Sequence, residues 1–161
     1  TGAALVAMAR VSAAWQMALY KIHEEDITLV KAYDPAVLPL FKANRVQLQE
    51  VFFNLIDNAY DAMMQRKQEL TEEAYAPTLT IAARIKDGQL EITVSDNGMG
   101  IHDKSKARLF TPFFTTKLSR RRGTGLGLYV IKKVIEDNHH GQVTVESTFM
   151  QGTVFVMTIP I

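Results

Sequence analysis

The sequence predicts an α+β fold, a two-layer sandwich in which helices cover one face of a mixed, mostly antiparallel sheet. Two alternating patterns predict the sheet, and the segregation of the predicted helices from these strands along the chain favours the α+β class. Alternation of apolar and polar residues on both sides of a tight turn is typical of an antiparallel hairpin. The alternating runs are 78–86 and 89–95 around Asp87-Gly88, and 142–147 and 153–159 around Gln151-Gly152.

The remaining elements are predicted from hydrophobic periodicity and from residues that favour turns. Residues 4–24 carry apolar side chains at steps of three and four, from Leu5 to Ile22, which predicts a helix. The other predicted elements are a strand over 26–33, a helix over about 45–70, a polar loop over 71–77, a stretch without periodicity over 96–123 and a helix over about 125–138.

Length and composition are those of one globular domain. The chain has 161 residues, enough for a single hydrophobic core, and its 47% hydrophobic and 22% charged residues exclude a disordered chain. The absence of cysteine excludes disulfides, thiolate metal sites and cysteine nucleophiles, and no apolar run is long enough to span a bilayer. Because the chain starts at Thr1 rather than at Met and shows no signal peptide, we interpret it as part of a longer protein.

Basic residues are concentrated in one segment of the chain. Residues 104–133 contain nine of the 18 Lys and Arg residues and no acidic residue, although the net charge is only +1. A local basic segment on a near-neutral chain favours an anionic ligand over nucleic acid, which would require a high overall pI. A solvated charged loop is the alternative that the charge pattern leaves open.

The long helix has a polar stripe beside its apolar face. Glu50, Asn54, Asn58 and Asp61 recur at i, i+4, i+8 and i+11. Asn is a mediocre helix former, but its amide offers a carbonyl oxygen to a hard cation and N–H donors to phosphate oxygens. The stripe therefore indicates a binding face, or else a solvated face with no function.

Two glycine-rich segments add to this pattern. The segment 96–101 (DNGMGI) places a carboxylate at a strand end, where it can accept a hydrogen bond from an exocyclic amine, and glycines that permit close approach to a planar ring. The segment 123–128 (GTGLGL) leads into a helix, and free backbone N–H groups at a helix N-terminus bind anions. Neither a dinucleotide-binding βαβ unit nor a P-loop fits the context of these glycines.

Taken in order, four segments resemble a known family. NLIDNAYDA (54–62), DNGMGI (96–101), LFTPFFTTK (109–117) and GTGLGL (123–128) closely resemble the N, G1, F and G2 boxes of the ATP-binding domain of sensor histidine kinases. This domain belongs to the superfamily that includes the gyrase, heat-shock chaperone and mismatch-repair ATPases. The resemblance implies a Bergerat-type ATP-binding fold, with 26–161 as the catalytic domain and about 102–122 as its ATP lid. Residues 1–25 would be a helix that continues from a dimerisation and acceptor hairpin absent from the chain.

The resemblance also implies roles for individual residues. Asn58 would be the Mg²⁺ ligand, and Asn54 beside it would contact phosphate or metal-bound water. Asp96 would accept a hydrogen bond from the adenine amino group, and Thr153 would support the Asp96 side. The remaining nucleotide contacts implied are Asp61, Gly98, Gly100 and Ile101, then Phe113, Thr116 and Lys117 of the lid, and finally Gly123, Thr124, Gly125, Leu126, Gly127 and Leu128 at the phosphates.

One position separates a kinase from a hydrolase. Hydrolysing members of the superfamily carry a Glu four residues before the metal-binding Asn, as a general base for water, whereas this chain has Asn54, which cannot take a proton. With Asn54 and Lys117 as catalytic residues, the resemblance implies γ-phosphate transfer from ATP and Mg²⁺ to a histidine on a separate dimerisation domain of the same protein. The response regulator receiver domain would then take the phosphoryl group.

The same resemblance implies a cytoplasmic, homodimeric parent protein that binds no nucleic acid, and it leaves membrane attachment of the parent open. The alternative function is an ATP-driven conformational switch or ATPase of the same superfamily. A nucleotide-binding module with only a structural role is a third interpretation, against which the intact Asn58 and Asp96 argue.

Several other residues have simpler interpretations. His23 is followed by an acid, as the family's phosphoacceptor is, but Ile27 stands where a polar Thr or Asn would follow. We therefore do not interpret His23 as the phosphoacceptor. His139 and His140 lie at a helix C-terminus, where His side chains interact well with free carbonyls, so a metal pair is disfavoured. The segment 120–122 (RRR) contacts either γ-phosphate or an acidic partner.

Overall fold

The structure, a computed structural model, describes residues 5–6, 22, 26–34, 41–70, 74–111 and 127–161. Ile22 lies in a helix. The other elements, in chain order, are β1 (Leu5–Val6), β2 (Thr28–Ala32), β3 (Phe41–Lys42), α1 (Arg45–Glu69), β4 (Thr78–Lys86), β5 (Gln89–Asp96), α2 (Asp103–Lys106), α3 (Gly127–Lys132, continued with π-helical geometry over Lys133–Asn138), β6 (Gln142–Thr148) and β7 (Gly152–Pro160).

Five strands form one mixed sheet in the order β2-β4-β5-β7-β6. The pairs β4–β5, β5–β7 and β6–β7 are antiparallel, and β2 lies parallel to β4 at one edge. The β4–β5 turn has positive φ at both Asp87 (53°) and Gly88 (74°), as a two-residue hairpin turn requires. Both predicted hairpins are therefore confirmed, as is the mixed, mostly antiparallel sheet.

Helix α1 crosses the inner face of this sheet. It begins after Asn44, whose side-chain oxygen accepts a hydrogen bond from Gln47 N at 3.1 Å, a capping arrangement that satisfies an otherwise free backbone donor. The prediction of a helix over 45–70 is confirmed to within a residue. The buried residues of this helix are Leu48, Val51, Phe52, Leu55, Ile56, Asp57, Ala59 and Met63.

The hydrophobic core lies between the helices and one face of the sheet. Every second residue of β5 and β7, and of β4 as far as Ala83, points into it, and α3 contributes Ile131 and Ile135. Each fully buried aliphatic side chain stabilises the fold by about 1.5–3 kcal/mol, so these alternating positions hold the sheet against the helices. The predicted two-layer sandwich is confirmed.

The predicted helix over 4–24 is wrong at its start. Leu5 and Val6 form β1, which pairs antiparallel with β3 at Lys42 and Phe41. Strand pairing with a segment far along the chain overrides the helical spacing of the apolar residues at this point. Ile22 is helical and fully buried, as predicted, and residues 7–21 lie outside the described part of the chain.

Two smaller differences concern the second half of the chain. The stretch 96–123 shows little periodicity in sequence, yet α2 forms one turn there, with Lys106 Nζ 2.8 Å from Asp103 Oδ1. Helix α3 widens to π-helical geometry from Lys133, which the periodicity does not reveal. Within the described ranges, none of the helices combines the length and hydropathy that crossing a bilayer requires.

Candidate functional site

Three segments that are far apart in sequence meet at one end of the sheet: the middle of α1, the turn after β5 and the start of α3. A methyl group at Gly127 would lie 3.3 Å from Asn54 Oδ1, so the polar stripe of α1 faces the beginning of α3. The turn after β5 is joined to the same helix, because Met99 N donates to Ala62 O at 3.0 Å. The structure thus brings together residues of the predicted N, G1 and G2 boxes.

The polar stripe itself is only partly open to solvent. Asn54, Asn58 and Asp61 are half-buried, whereas Glu50, one turn earlier, is exposed. Amide and carboxylate oxygens of this kind suit Mg²⁺, which binds to one or two protein oxygens and otherwise to water and phosphate. Among the described residues, no group of three or more His, Asp or Glu side chains is arranged to hold a metal ion. The donor set fits a Mg²⁺ ion that arrives with phosphate.

Asp96 is the last residue of β5 and is half-buried. Its Oδ1 accepts a hydrogen bond from Gly98 N at 2.8 Å, and the backbone N–H of Thr153, the residue opposite in β7, is a second donor. Burial raises the pKa of Asp96 to about 7, although these two backbone hydrogen bonds lower it. A ligand that donates a hydrogen bond to this carboxylate therefore favours its ionised form.

The glycines of the 96–101 turn are required by the packing of the protein itself. A Cβ at Gly98 would lie 2.6 Å from the carbonyl carbon of Ala62 in α1. Gly100 has φ +72°, and a Cβ there would collide with Thr148 O in the β6–β7 turn. In the structure these glycines let the turn fit between α1 and the end of β6, and their predicted role in making room for a planar ring stays a prediction.

Ser147 is a site residue that the sequence analysis missed. Its hydroxyl accepts from Ile101 N at 2.8 Å and lies 2.9 Å from Gly152 O and 2.8 Å from Thr153 Oγ1. Because a carbonyl can only accept, Ser147 donates to Gly152 O, and the Thr153 hydroxyl donates to Ser147. Ser147 occupies an inward position of β6, and a polar residue in that alternating pattern was the available signal.

His139 has a structural role. Its Nδ1 lies 2.8 Å from Val134 O, and its Nε2 accepts from Asn44 N at 3.0 Å, which assigns the proton to Nδ1. The predicted interaction of a histidine with a free carbonyl at the end of this helix is confirmed. His139 thereby connects the end of α3 to the N-terminal cap of α1.

The structure describes only part of the predicted F and G2 boxes. Of the G2 box, Gly127 and Leu128 begin α3, and Leu128 packs partly against the core. Leu109, in the F box, is buried, and Lys132 Nζ of α3 lies 5.5 Å from the ring centroid of Phe110. The predicted contacts at Phe113, Thr116, Lys117, Gly123, Thr124, Gly125 and Leu126 lie outside the described residues.

A family model and individual known proteins that are similar to this chain point to the same family. A family model described as "Histidine kinase-, DNA gyrase B-, and HSP90-like ATPase" matches residues 43–161. "Sensor protein TdiS" of Thauera aromatica is 33% identical over 146 residues, which are 88% of this chain and 24% of that protein. "Sensory histidine kinase/phosphatase NtrB" of Rhizobium meliloti is 39% identical over 137 residues, 81% of this chain and 35% of that protein. The chain thus spans about a third or less of these curated relatives.

Solved structures show the same fold. The catalytic domain of the histidine kinase ThkA is similar with a TM-score of 0.75 and 26% identity, over 96% of this chain and 94% of that one. Full-length ShkA, solved in complex with AMPPNP, is similar with a TM-score of 0.77 and 24% identity, over 98% of this chain and 30% of that one. The predicted α+β fold is therefore confirmed as the fold of histidine kinase catalytic domains.

Proposed function

Because the chain belongs to the family of histidine kinase-, DNA gyrase B- and HSP90-like ATPases, we propose that it binds Mg²⁺-ATP and transfers the γ-phosphate to a histidine. The acceptor histidine would lie on a dimerisation domain of the same protein, which would be a homodimer. A response regulator receiver domain in the cytoplasm would then accept the phosphoryl group.

The observation that carries the proposal is the position of Asp96. A half-buried carboxylate at the end of a strand, held by two backbone N–H donors, keeps acceptor capacity for a donor on a ligand. The amino group of adenine is such a donor, and guanine carries a carbonyl at the same ring position. Asp96 would therefore select ATP, while Ile101 and the turn at Gly98 and Gly100 would form the wall of the base pocket.

The phosphates would lie between α1 and the start of α3. Asn58 would hold Mg²⁺ through its amide oxygen, and Asn54 and Asp61 would contact the phosphates or the waters of the metal. Bound Mg²⁺ would neutralise phosphate charge during transfer. The proximity of Asn54 to Gly127 supports this arrangement, because it brings the polar stripe to the glycine-rich helix start. The contact of Lys117 with the γ-phosphate remains part of the proposal.

Asn54 favours phosphoryl transfer over hydrolysis. An amide cannot take a proton from water, so bound water stays a poor nucleophile at this position. The exposed Glu50, one turn earlier on α1, is not buried beside the site as a general base would be. An ATP-driven conformational switch is the second candidate, because the same pocket would bind ATP for either purpose.

The test supplies the chain with Mg²⁺-ATP, with and without a separately prepared acceptor hairpin from a homologous sensor kinase. We expect ATP binding by calorimetry, negligible phosphate release from the chain alone, and acid-labile phosphohistidine on the hairpin. Brisk hydrolysis without any phosphoprotein would favour the ATP-driven switch, and a chain that binds no ATP would contradict both functions.

A further inference from the structure

Arg66, in the last turn of α1, connects two turns that belong to different parts of the chain. Its Nη1 lies 2.9 Å from Asn97 O and 3.3 Å from Gly98 O in the turn after β5, and 3.2 Å from Gln151 O in the β6–β7 turn. An arginine at a helix end usually extends into solvent, whereas this one is half-buried against three backbone carbonyls. Charged donors make stronger hydrogen bonds than neutral ones.

Tyr75 completes this arrangement from the loop before β4. Its hydroxyl donates to Asn97 O at 2.9 Å, and the Arg66 guanidinium lies 5.0 Å from the centroid of its ring. Burial raises the pKa of Tyr75 to about 12, so the hydroxyl stays protonated and remains a donor. The carbonyl of Asn97 therefore accepts from both Arg66 and Tyr75.

The side chain of Asn97 anchors the same turn to the start of β4. Its Oδ1 accepts from Thr78 N at 2.8 Å, and its Nδ2 donates to Ala76 O at 2.9 Å. The Asn97 side chain is thus hydrogen-bonded to the loop that holds Tyr75 and to the first residue of β4. We name Arg66, Tyr75 and Asn97 the turn clasp.

The turn clasp acts on the two backbone donors of Asp96. One donor is Gly98 N, and the clasp holds the carbonyls of Asn97 and Gly98 on both sides of it. The other donor is Thr153 N, two residues after the carbonyl of Gln151. The later part of the turn is held independently, because Met99 N donates to Ala62 O and Met150 N donates to Met99 O. Loss of Arg66 should therefore loosen the surroundings of Asp96 without unfolding the turn.

We propose that Arg66 is a positioning residue for base selection: by holding both turns that carry the donors to Asp96, it keeps the carboxylate aimed at the amino group of adenine. This inference rests on the proposed ATP-binding function. Arg66 contacts backbone carbonyls of the two turns, so its effect on the nucleotide would pass through Asp96.

The experiment replaces Arg66 by Met, which keeps the aliphatic bulk and removes the donors, and by Lys, which keeps a charged donor. Arg84→Met is the matched control, because Arg84 pairs with Glu91 at 2.8 Å on an exposed side chain of β4, away from the site. Mg²⁺-ATP and Mg²⁺-GTP affinities are measured by calorimetry, together with Tm and the hydrogen exchange of the Gly98 and Thr153 amides.

For Arg66→Met we expect about a tenfold loss of ATP affinity, the scale of a lost hydrogen bond to a charged group. GTP affinity should change less, the two amides should exchange faster, and Tm should fall by only a few degrees. Arg66→Lys should recover part of the ATP preference, and Arg84→Met should leave it intact. Tyr75→Phe, which removes one hydroxyl, should shift the preference in the same direction by a smaller factor, and it provides the test if Arg66→Met does not fold.

The possible failures are distinguishable. If the parent chain prefers ATP and Arg66→Met and Tyr75→Phe prefer it equally strongly, the positioning role is wrong. An equal loss of ATP and GTP affinity in Arg66→Met, in proportion to a lower Tm, would also overturn it and leave only a structural role. If the parent chain itself binds no nucleotide, the proposed function fails first.

Discussion

The hydroxyl groups of Ser147 and Thr153 lie 2.8 Å apart on neighbouring strands, and the Thr153 hydroxyl donates to Ser147. The Ser147 hydroxyl also accepts a hydrogen bond from Ile101 N and donates one to Gly152 O, so its whole hydrogen-bonding capacity is used within the protein. This pair joins the end of the glycine-rich turn to the start of β7, directly beside Asp96.

Ser147→Ala should therefore lower the free energy of unfolding by about 1–3 kcal/mol, because the half-buried Ile101 N–H loses its acceptor and the Gly152 carbonyl loses the Ser147 donor. Urea unfolding monitored by circular dichroism measures this change. Thr144→Ala, at an exposed position of the same strand, controls for strand propensity and should cost less. Equal losses in the two variants would show that the Ser147 network contributes nothing measurable.

Asn58→Ala should weaken ATP binding in Mg²⁺ while leaving Tm unchanged. The substitution removes a ligand oxygen but keeps α1 intact, because Ala is the better helix former. Calorimetric titration with ATP, with Mg²⁺ present and then chelated, should show that the loss depends on the metal. Gln68→Ala, exposed on the same helix, is the control. An unaltered affinity of Asn58→Ala for ATP in Mg²⁺ would contradict the assignment of Asn58 as the metal ligand.

Nucleotide affinity should depend on pH through Asp96. Since the pKa of this carboxyl without nucleotide is about 7, and adenine would donate to the ionised form, ATP affinity should fall as the pH drops below about 7. Asp96→Asn should bind ATP roughly tenfold more weakly at pH 8, because the half-buried amide would be mispaired with the adenine amino group. ATP itself also titrates, so the parent-to-variant ratio of affinities is the quantity to measure. A ratio that is constant with pH would contradict the prediction.

The same shift predicts how stability varies with pH. The folded pKa of Asp96 is raised from 3.8 to about 7, so the unfolded chain ionises first as the pH rises. Stability from this group is full below pH 3.8 and is lost as the pH rises through 7. Asp96→Asn should therefore gain stability relative to the parent above pH 7, and this gain should shrink on acidification. Denaturant unfolding at several pH values tests this, and a gain that is independent of pH would be the contrary result.

Gly88 and Gly100 provide a matched pair. Both have similar positive φ, +74° and +72°, but a Cβ at Gly88 meets nothing within 4 Å whereas one at Gly100 collides with Thr148 O. Gly88→Ala should cost about 1–2 kcal/mol for the backbone conformation alone. Gly100→Ala should cost a further 1–3 kcal/mol or so from overpacking and should also weaken ATP binding. Similar unfolding free energies for the two variants would mean that the backbone at Thr148 moves aside at little cost in free energy.

Most of the fold could be predicted because its signals are local. The Asp87-Gly88 turn between two alternating runs specifies the β4–β5 hairpin, and the apolar spacing of α1 specifies its buried face. The start of the chain could not be predicted in this way, since Leu5 and Val6 pair with residues 41–42, and no local pattern encodes a partner so far along the chain.

The sequence by itself identified the residues that we propose for the chemistry: Asn54 and Asn58 at helical spacing, Asp96 at a strand end and glycines next to a helix start, because each belongs to a short motif. Only the tertiary structure decided how that chemistry is held in place. Ser147 and Arg66 carry no motif, and their partners lie on other elements, 46 residues from Ser147 at Ile101 and 85 residues from Arg66 at Gln151. The backbone carbonyls and amides that they bind exist in every residue, so only the packing of α1, β5 and the β6–β7 turn selects which of them meet.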